Sequence, residues 1–219
     1  MTALPRSKIA PLQLLVHVAA LLPLAWLIFD AATGRLSVNP VQDIEQRTGK
    51  AALILLVASL SCAPANILTG WAPALRWRRP LGLYAFGYAA LHFLTFVGLD
   101  YAFNLRFLWA DISGKRYIFV GLAALLILIP LALTSTVGWQ RRLGKTWRKL
   151  HRWVYLAGAL VVVHYVWAVK SDIREPLLWG AAIGLGLLIR VPAVRSRIIA
   201  RRTQRRGRRD RVSARNPVP

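Results

Sequence analysis

The imidazole and thiol side chains able to ligate a metal in this sequence are few: His17, His92, His151, His164 and the single cysteine, Cys62. Neutral imidazole is a common metal ligand, including to haem iron. His151 and His164 lie on one stretch, Arg141 to Asp172, that begins basic and Trp-containing and becomes apolar. Their thirteen-residue spacing is about 20 Å along a helix, most of a hydrocarbon core about 30 Å thick. A histidine near each face of one helix points to two redox centres, or to one centre and a relay. His92 lies eight residues before Asp100, and His164 six before Lys170. Those offsets place them at depths of about 12 and 9 Å on their own helices. Two imidazoles at one depth on neighbouring helices can hold a metal from opposite sides, and a planar haem suits such a pair. A two-histidine zinc or copper site would need further ligands, and none stands at that depth. His17 reads as a polar contact between helices or with a quinone. Cys62, in an apolar run, reads as a small buried hydrophobe. One cysteine excludes a C-x-x-C-H attachment and a four-cysteine iron–sulfur cluster within the chain. Any haem is therefore non-covalent and held by other side chains.

His151 stands between Leu150 and Arg152 at the basic end of its helix. Fourteen residues before His92, the equivalent level of the third helix holds Arg78, about 40° off the His92 face. A guanidinium stays protonated and is a poor iron ligand. As a planar bidentate donor it suits a haem propionate or a flavin phosphate. His151 and His164 are rotated about 220° apart on an ideal helix, so they share a face only where the helix is overwound or bulged.

The elements that must position these residues are apolar helices. The 219-residue chain is 56% hydrophobic, with mean hydropathy +0.45 and long uncharged runs, which puts it among membrane proteins. Those runs predict six spans: Ile9–Phe29, a run after Lys50 ending near Ile67, Pro80–Leu99, a run between Arg116 and Arg141, Trp153–Val169, and Pro176–Ile189. Pro80 fits a first helical turn. The sixth run is short and spans only if Arg190 snorkels and Val191–Val194 extend it. Gly180 and Gly184 form a G-x-x-x-G packing face. The expected fold is all-α, a six-helix transmembrane bundle over residues 1–194. Of the 30 Lys and Arg residues, 22 fall on one side of it, so the positive-inside rule places both termini in the cytoplasm. The arginine-rich residues 195–219 read as a disordered tail against anionic lipid. Without interleaved aromatics they give no nucleic-acid site. No phosphate loop or dinucleotide fingerprint is present, so the chain carries no nucleotide-binding reductase of its own.

The stretches RRPLGLYAFGYAALHFLTFVGLD, with His92, and TSTVGWQRRLGKTWRKLHRWVYLAGALVVVHYVWAVKSD, with His151 and His164, resemble the MsrQ (YedZ) family of haem-binding membrane subunits, within the ferric-reductase-like transmembrane group. The resemblance covers roughly residues 10–195. It implies haem b, one or two per chain, and FMN binding is attributed to the family. It implies electron transfer across the bacterial inner membrane to a periplasmic molybdopterin partner, MsrP, which repairs methionine sulfoxide in oxidised proteins. The implied electron donor is the quinone pool or a cytosolic flavin reductase. In the wider group the third and fifth helices each carry two histidines; here the third keeps only His92. The expectation is thus an electron-transfer subunit that does not act on methionine sulfoxide by itself. In it His92 and His164 are the outer haem ligands, His151 is an inner ligand or relay, and Arg78 is an anion contact. Two alternatives from the residues alone are a small-solute transporter with a polar histidine pathway and a stand-alone surface metalloreductase.

Overall fold

The computed structural model describes residues 6–169 and 172–215, with side chains for 12–104, 106–169 and 172–204. Lys170, the last four residues of the expected tail, and the side chains of Arg6 and Lys8 lie outside these. Among the described residues every regular element is helical. They are α1 (Arg6–Ala32), α2 (Pro40–Thr69), α3 (Ala74–Thr95), α4 (Leu105–Ile112), α5 (Arg116–Leu133), α6 (Val137–Leu143), α7 (Lys145–Leu150), α8 (Val154–Ala168), α9 (Arg174–Arg190) and α10 (Pro192–Arg215). A π-turn, Phe96–Asp100, continues α3, and a 3₁₀ turn, His151–Trp153, joins α7 to α8.

Four helices, α1, α2, α3 with its π-turn, and α5, are long and apolar enough to cross a membrane. α9 and α10 pass together as a pair bent by 75°. α8 has fifteen residues, about 22 Å, and reaches a bilayer's width only with its 3₁₀ turn. The chain is a multi-pass α-helical membrane protein.

α2 is the central helix. It packs against α3 most extensively and also meets α1, α8, α9 and α10; α5 packs on α8. Leu53, Leu56, Val57 and Leu60 of α2 form the core with Ala85 and Tyr88 of α3, Leu128 of α5, Ala157 of α8 and Ile183 of α9. α2 starts ten residues before Lys50. Asn39 accepts from the Gln42 N–H and Pro40 takes the first turn, both strong start signals. Its far end closes on Gly70, whose φ of +78° suits glycine. α3 likewise starts six residues before Pro80, so Pro80 sits inside the helix and deprives the Arg76 carbonyl of its usual donor.

α1 is fixed to α3 by an inserted hydroxyl. Tyr88 OH donates to the Ala20 carbonyl at 2.8 Å and accepts from the Leu24 N–H at 3.0 Å. It thereby bridges one rung of the α1 ladder next to Pro23, a known way of bending a helix.

Two features at the sixth run differ from expectation. Arg190 does not snorkel. Its guanidinium donates through both terminal nitrogens, to Tyr155 OH and to the Leu60 carbonyl, and lies over the Tyr155 ring, so the bundle holds it inside, with Nε buried and unpaired among the described residues. Val191, before Pro192, is extended (φ −56°, ψ 130°), as steric pressure from the proline ring requires. The chain therefore bends instead of extending the span. Residues 195–215, the larger part of the expected tail, lie in α10. Arginine is a good helix former, and Arg202 caps α2 by donating to the Asn66 and Ile67 carbonyls at 3.0 and 2.9 Å. A cation at that end also meets the negative pole of α2. Of the two glycines of the G-x-x-x-G pair, only Gly180 makes a close approach, to Val162 of α8; a Cβ on Gly184 would meet nothing within 4 Å among the described residues.

Candidate functional site: a duplicated histidine seat

α3 and α8 bring His92 and His164 together. Their ring centroids are 6.2 Å apart, with planes 79° to each other. With a metal–imidazole bond of about 2 Å and the ring centre about 1 Å behind the nitrogen, two imidazoles sharing one metal have centroids about 6 Å apart. The observed separation matches that value.

Each ring is held by the same device. His92 Nδ1 is 2.9 Å from the Glu45 carbonyl, and His164 Nδ1 is 2.8 Å from the Tyr117 carbonyl. A carbonyl only accepts, so each Nδ1 carries the proton and each Nε2 keeps its lone pair. A fixed tautomer with Nε2 available is what a metal-ligating histidine needs. Among the described residues neither Nε2 makes a hydrogen bond. One turn beyond each carbonyl stands a glycine under the ring. A Cβ on Gly49 would lie 3.2 Å from His92 Nδ1, and one on Gly121 only 2.6 Å from His164 Nδ1. The triads Glu45–Gly49–His92 and Tyr117–Gly121–His164 have identical internal spacing, offset by 72 residues. The α2–α3 pair and the α5–α8 pair thus repeat one histidine-holding unit. Sequence reasoning missed this, although the spacing from each glycine to its histidine could have signalled it.

The donor set is two neutral imidazoles. Among the described residues no group of three or more His, Cys, Asp or Glu side chains could hold a metal ion. This excludes a tetrahedral site built from them, whereas two axial nitrogens are what a bis-histidine haem needs. The glycine cradles, free Nε2 atoms and ring separation all fit that group.

His151 is placed differently. It lies on the 3₁₀ turn and stacks on Trp147, with centroids 4.0 Å apart. Its Nε2 is 3.1 Å from Thr134 Oγ1, which itself donates to the Pro130 carbonyl at 2.6 Å. The Thr134 proton is thus committed, so Nε2 carries the His151 proton and donates. The turn overwinds the chain, as 3₁₀ geometry does, and rotates His151 about 60° towards the His164 face relative to an ideal helix. Arg78 lies within electrostatic reach of His151, Cys62 and Arg190, and its carbonyl accepts from Ser59 at 2.7 Å. His17 does not join the pair; its Nδ1 lies 3.0 Å from Tyr84 OH.

At the opposite end from Arg78, the connection from α3 to α5 is braced by charge. Asn104 caps α4, and Asp111 accepts from Tyr101 OH and from Lys115. Phe103, Phe107 and Trp109 are exposed there, as in a helix lying at an interface. The Lys115 bond, then that from Tyr101, holds the Asp111 carboxyl below its ordinary value, and Asp111 raises Lys115. The Asp111 contribution is present above about pH 4 and is lost as pH falls through its lowered folded value. The Lys115 contribution is present below about pH 10 and is lost as pH rises through its raised one. Asp111→Asn, which removes the charge that Lys115 and Tyr101 bond, should therefore lower hydrogen-exchange protection of α4 at neutral pH, and wild-type protection in that variant would disprove the brace.

This fold and this histidine pair define a class, the helical membrane proteins of the ferric reductase kind. The ferric reductase like transmembrane component family matches residues 48–163. Residues across most of the chain are 49% identical to the protein-methionine-sulfoxide reductase heme-binding subunit MsrQ of Rhodospirillum rubrum, over 84% of this chain and 90% of that one. The subunits of the same name from Xanthomonas axonopodis pv. citri (44% identity; 84% and 88% covered) and Xanthomonas euvesicatoria pv. vesicatoria (42%; 91% and 93%) are similar over like spans. The chain belongs to the MsrQ family.

Proposed function

We propose that this chain binds haem b through His92 and His164 and carries electrons from the cytoplasmic side, or from the quinone pool, across the bacterial inner membrane. The acceptor is a periplasmic MsrP-type molybdopterin enzyme that reduces methionine sulfoxide in oxidised proteins. The relatives' name, a heme-binding subunit of a protein-methionine-sulfoxide reductase, supports the haem and the reductase. The observation that carries the reading is the histidine pair, 6.2 Å apart, with both Nδ1 atoms engaged. Haem supplies a one-electron couple when bound. The chain's own residues hold the two imidazoles in one tautomer and keep both Nε2 atoms free. The bundle crosses six times with both termini in the cytoplasm, α8 and the α9–α10 pair completing the count. The connection holding Asp111 and Arg106 meets the reductase, where rim charges tune association rate.

His151 serves electron delivery at the inner end. Its Nε2 is committed to Thr134, which favours a relay over an axial ligand. The basic segment from Arg141 to Arg152 receives the flavin or its donor, FMN included, and Arg78 offers a planar donor to an anionic group there. The test is haem per mole of full-length protein, as pyridine haemochrome, together with the rate of reduction from a cytosolic donor. The wild type should bind haem with a low-spin spectrum. His151→Ala should slow reduction, or lower haem content, while the low-spin signal persists. A colourless wild type, grown with ample haem, overturns the function. Equal haem and an equal rate in the variant overturn the role of His151 alone.

A further inference from the structure

On the side of α3 that faces α1 there is a cleft of about 300 Å³ that electron transfer leaves unused. Its polar lining includes Arg76 and Arg79, both exposed, and the indole of Trp77. Among the described residues no carboxylate lines it, and no ion pair involves either arginine. The Trp77 indole N–H is buried, yet among the described residues it donates to no acceptor. A buried donor without a partner costs about 1–3 kcal/mol, so an acceptor from outside the chain would relieve it. His17 also lines the cleft but is engaged with Tyr84. Val16 and Leu83 supply an apolar wall. α1 shows only 11% of its apolar window buried in the protein, so lipid is the medium along this wall. The cleft lies at the Arg76–Arg79 end of α3, where basic residues concentrate.

We propose that this cleft is a binding site for the phosphate of an anionic phospholipid. Arg76 and Arg79 meet the charge, the Trp77 N–H donates to a phosphate oxygen, and an acyl chain lies over Val16 and Leu83 between α1 and α3. Two cations without an acid favour an anionic headgroup over a zwitterionic one, whose ammonium would face arginine. The apolar wall favours a lipid over free phosphate. Basic pockets between membrane helices bind such headgroups by this chemistry.

Native mass spectrometry of the full-length haem-loaded protein, with phosphatidylglycerol and phosphatidylcholine in competition, tests the site. The wild type should retain one phosphatidylglycerol about tenfold better than phosphatidylcholine. The double variant Arg76→Gln, Arg79→Gln should lose that preference. Trp77→Phe, which keeps the ring and removes only the donor, should weaken retention several-fold. Unchanged haem content in each variant shows that it is folded, and if the double variant fails to fold, Trp77→Phe decides. No preference in the wild type, or a preference that survives in every folded variant, overturns the proposal. Displacement of the lipid by millimolar inorganic phosphate assigns the site to a soluble anion and overturns it equally.

Discussion

Replacing either His92 or His164 with alanine is expected to abolish the low-spin haem spectrum. In the proposed site each imidazole would supply one of two ligand nitrogens, and among the described residues no third His, Cys, Asp or Glu side chain is grouped with them. Loss of a partner that merely orients a ligand costs about 10–100-fold in metal affinity; loss of the ligand itself should cost at least as much. Both substitutions also leave a carbonyl, that of Glu45 or Tyr117, without its imidazole donor. The two variants should therefore behave alike, with haem per protein falling to a small fraction of wild type and any residue high-spin. External imidazole should restore part of the low-spin signal by entering the vacated seat. His17→Ala, remote from the pair, should keep the spectrum. A bis-histidine low-spin spectrum that persists in either single variant would refute the assignment.

The second large effect is expected at a residue with no chemistry of its own. Gly121→Ala puts a Cβ 2.6 Å from His164 Nδ1 and 2.8 Å from its Cε1, inside any tolerable contact. The ring must move, and its bond to the Tyr117 carbonyl, which sets the tautomer, moves with it. Overpacking of this kind costs about 1–3 kcal/mol, and a displaced ligand costs about 10–100-fold in metal affinity. Gly49→Ala is milder, because its Cβ would stand 3.2 Å from His92 Nδ1, a gap that a shift of a few tenths of an ångström relieves. The expected order of haem loss is Gly121→Ala well above Gly49→Ala, read as haem per folded protein with helix content as control. Wild-type haem content in Gly121→Ala, or the reverse order, would show that the cradles do not set the ligand geometry.

Much of this architecture is legible without coordinates. Uncharged runs locate the apolar helices because a bilayer admits only segments that satisfy their own backbone. Depth along a helix is linear in residue number, so His92 and His164 could be matched from their distances to Asp100 and Lys170. Rotation and helix ends were less accessible. Nothing local announces that Pro80 lies inside α3 and not at its start, because tertiary packing tolerates the missing donor. The overwinding at His151 comes with Trp147 and Thr134 closing on the ring, contacts that no local spacing announces.

The sequence by itself determined a multi-pass helical membrane protein and the levels at which its histidines lie. Composition and helical rise are local quantities, and they settle both. Only the tertiary structure decided that His92 and His164 face each other, that Glu45 and Tyr117 carbonyls fix their tautomers, and that Gly49 and Gly121 make room for the rings. It alone also turned Arg190 inward and set Arg202 against the end of α2. Each of these depends on which helix neighbours which. That choice is made by burial summed over whole faces, most of all those of α2, and a sequence read in windows does not contain the sum.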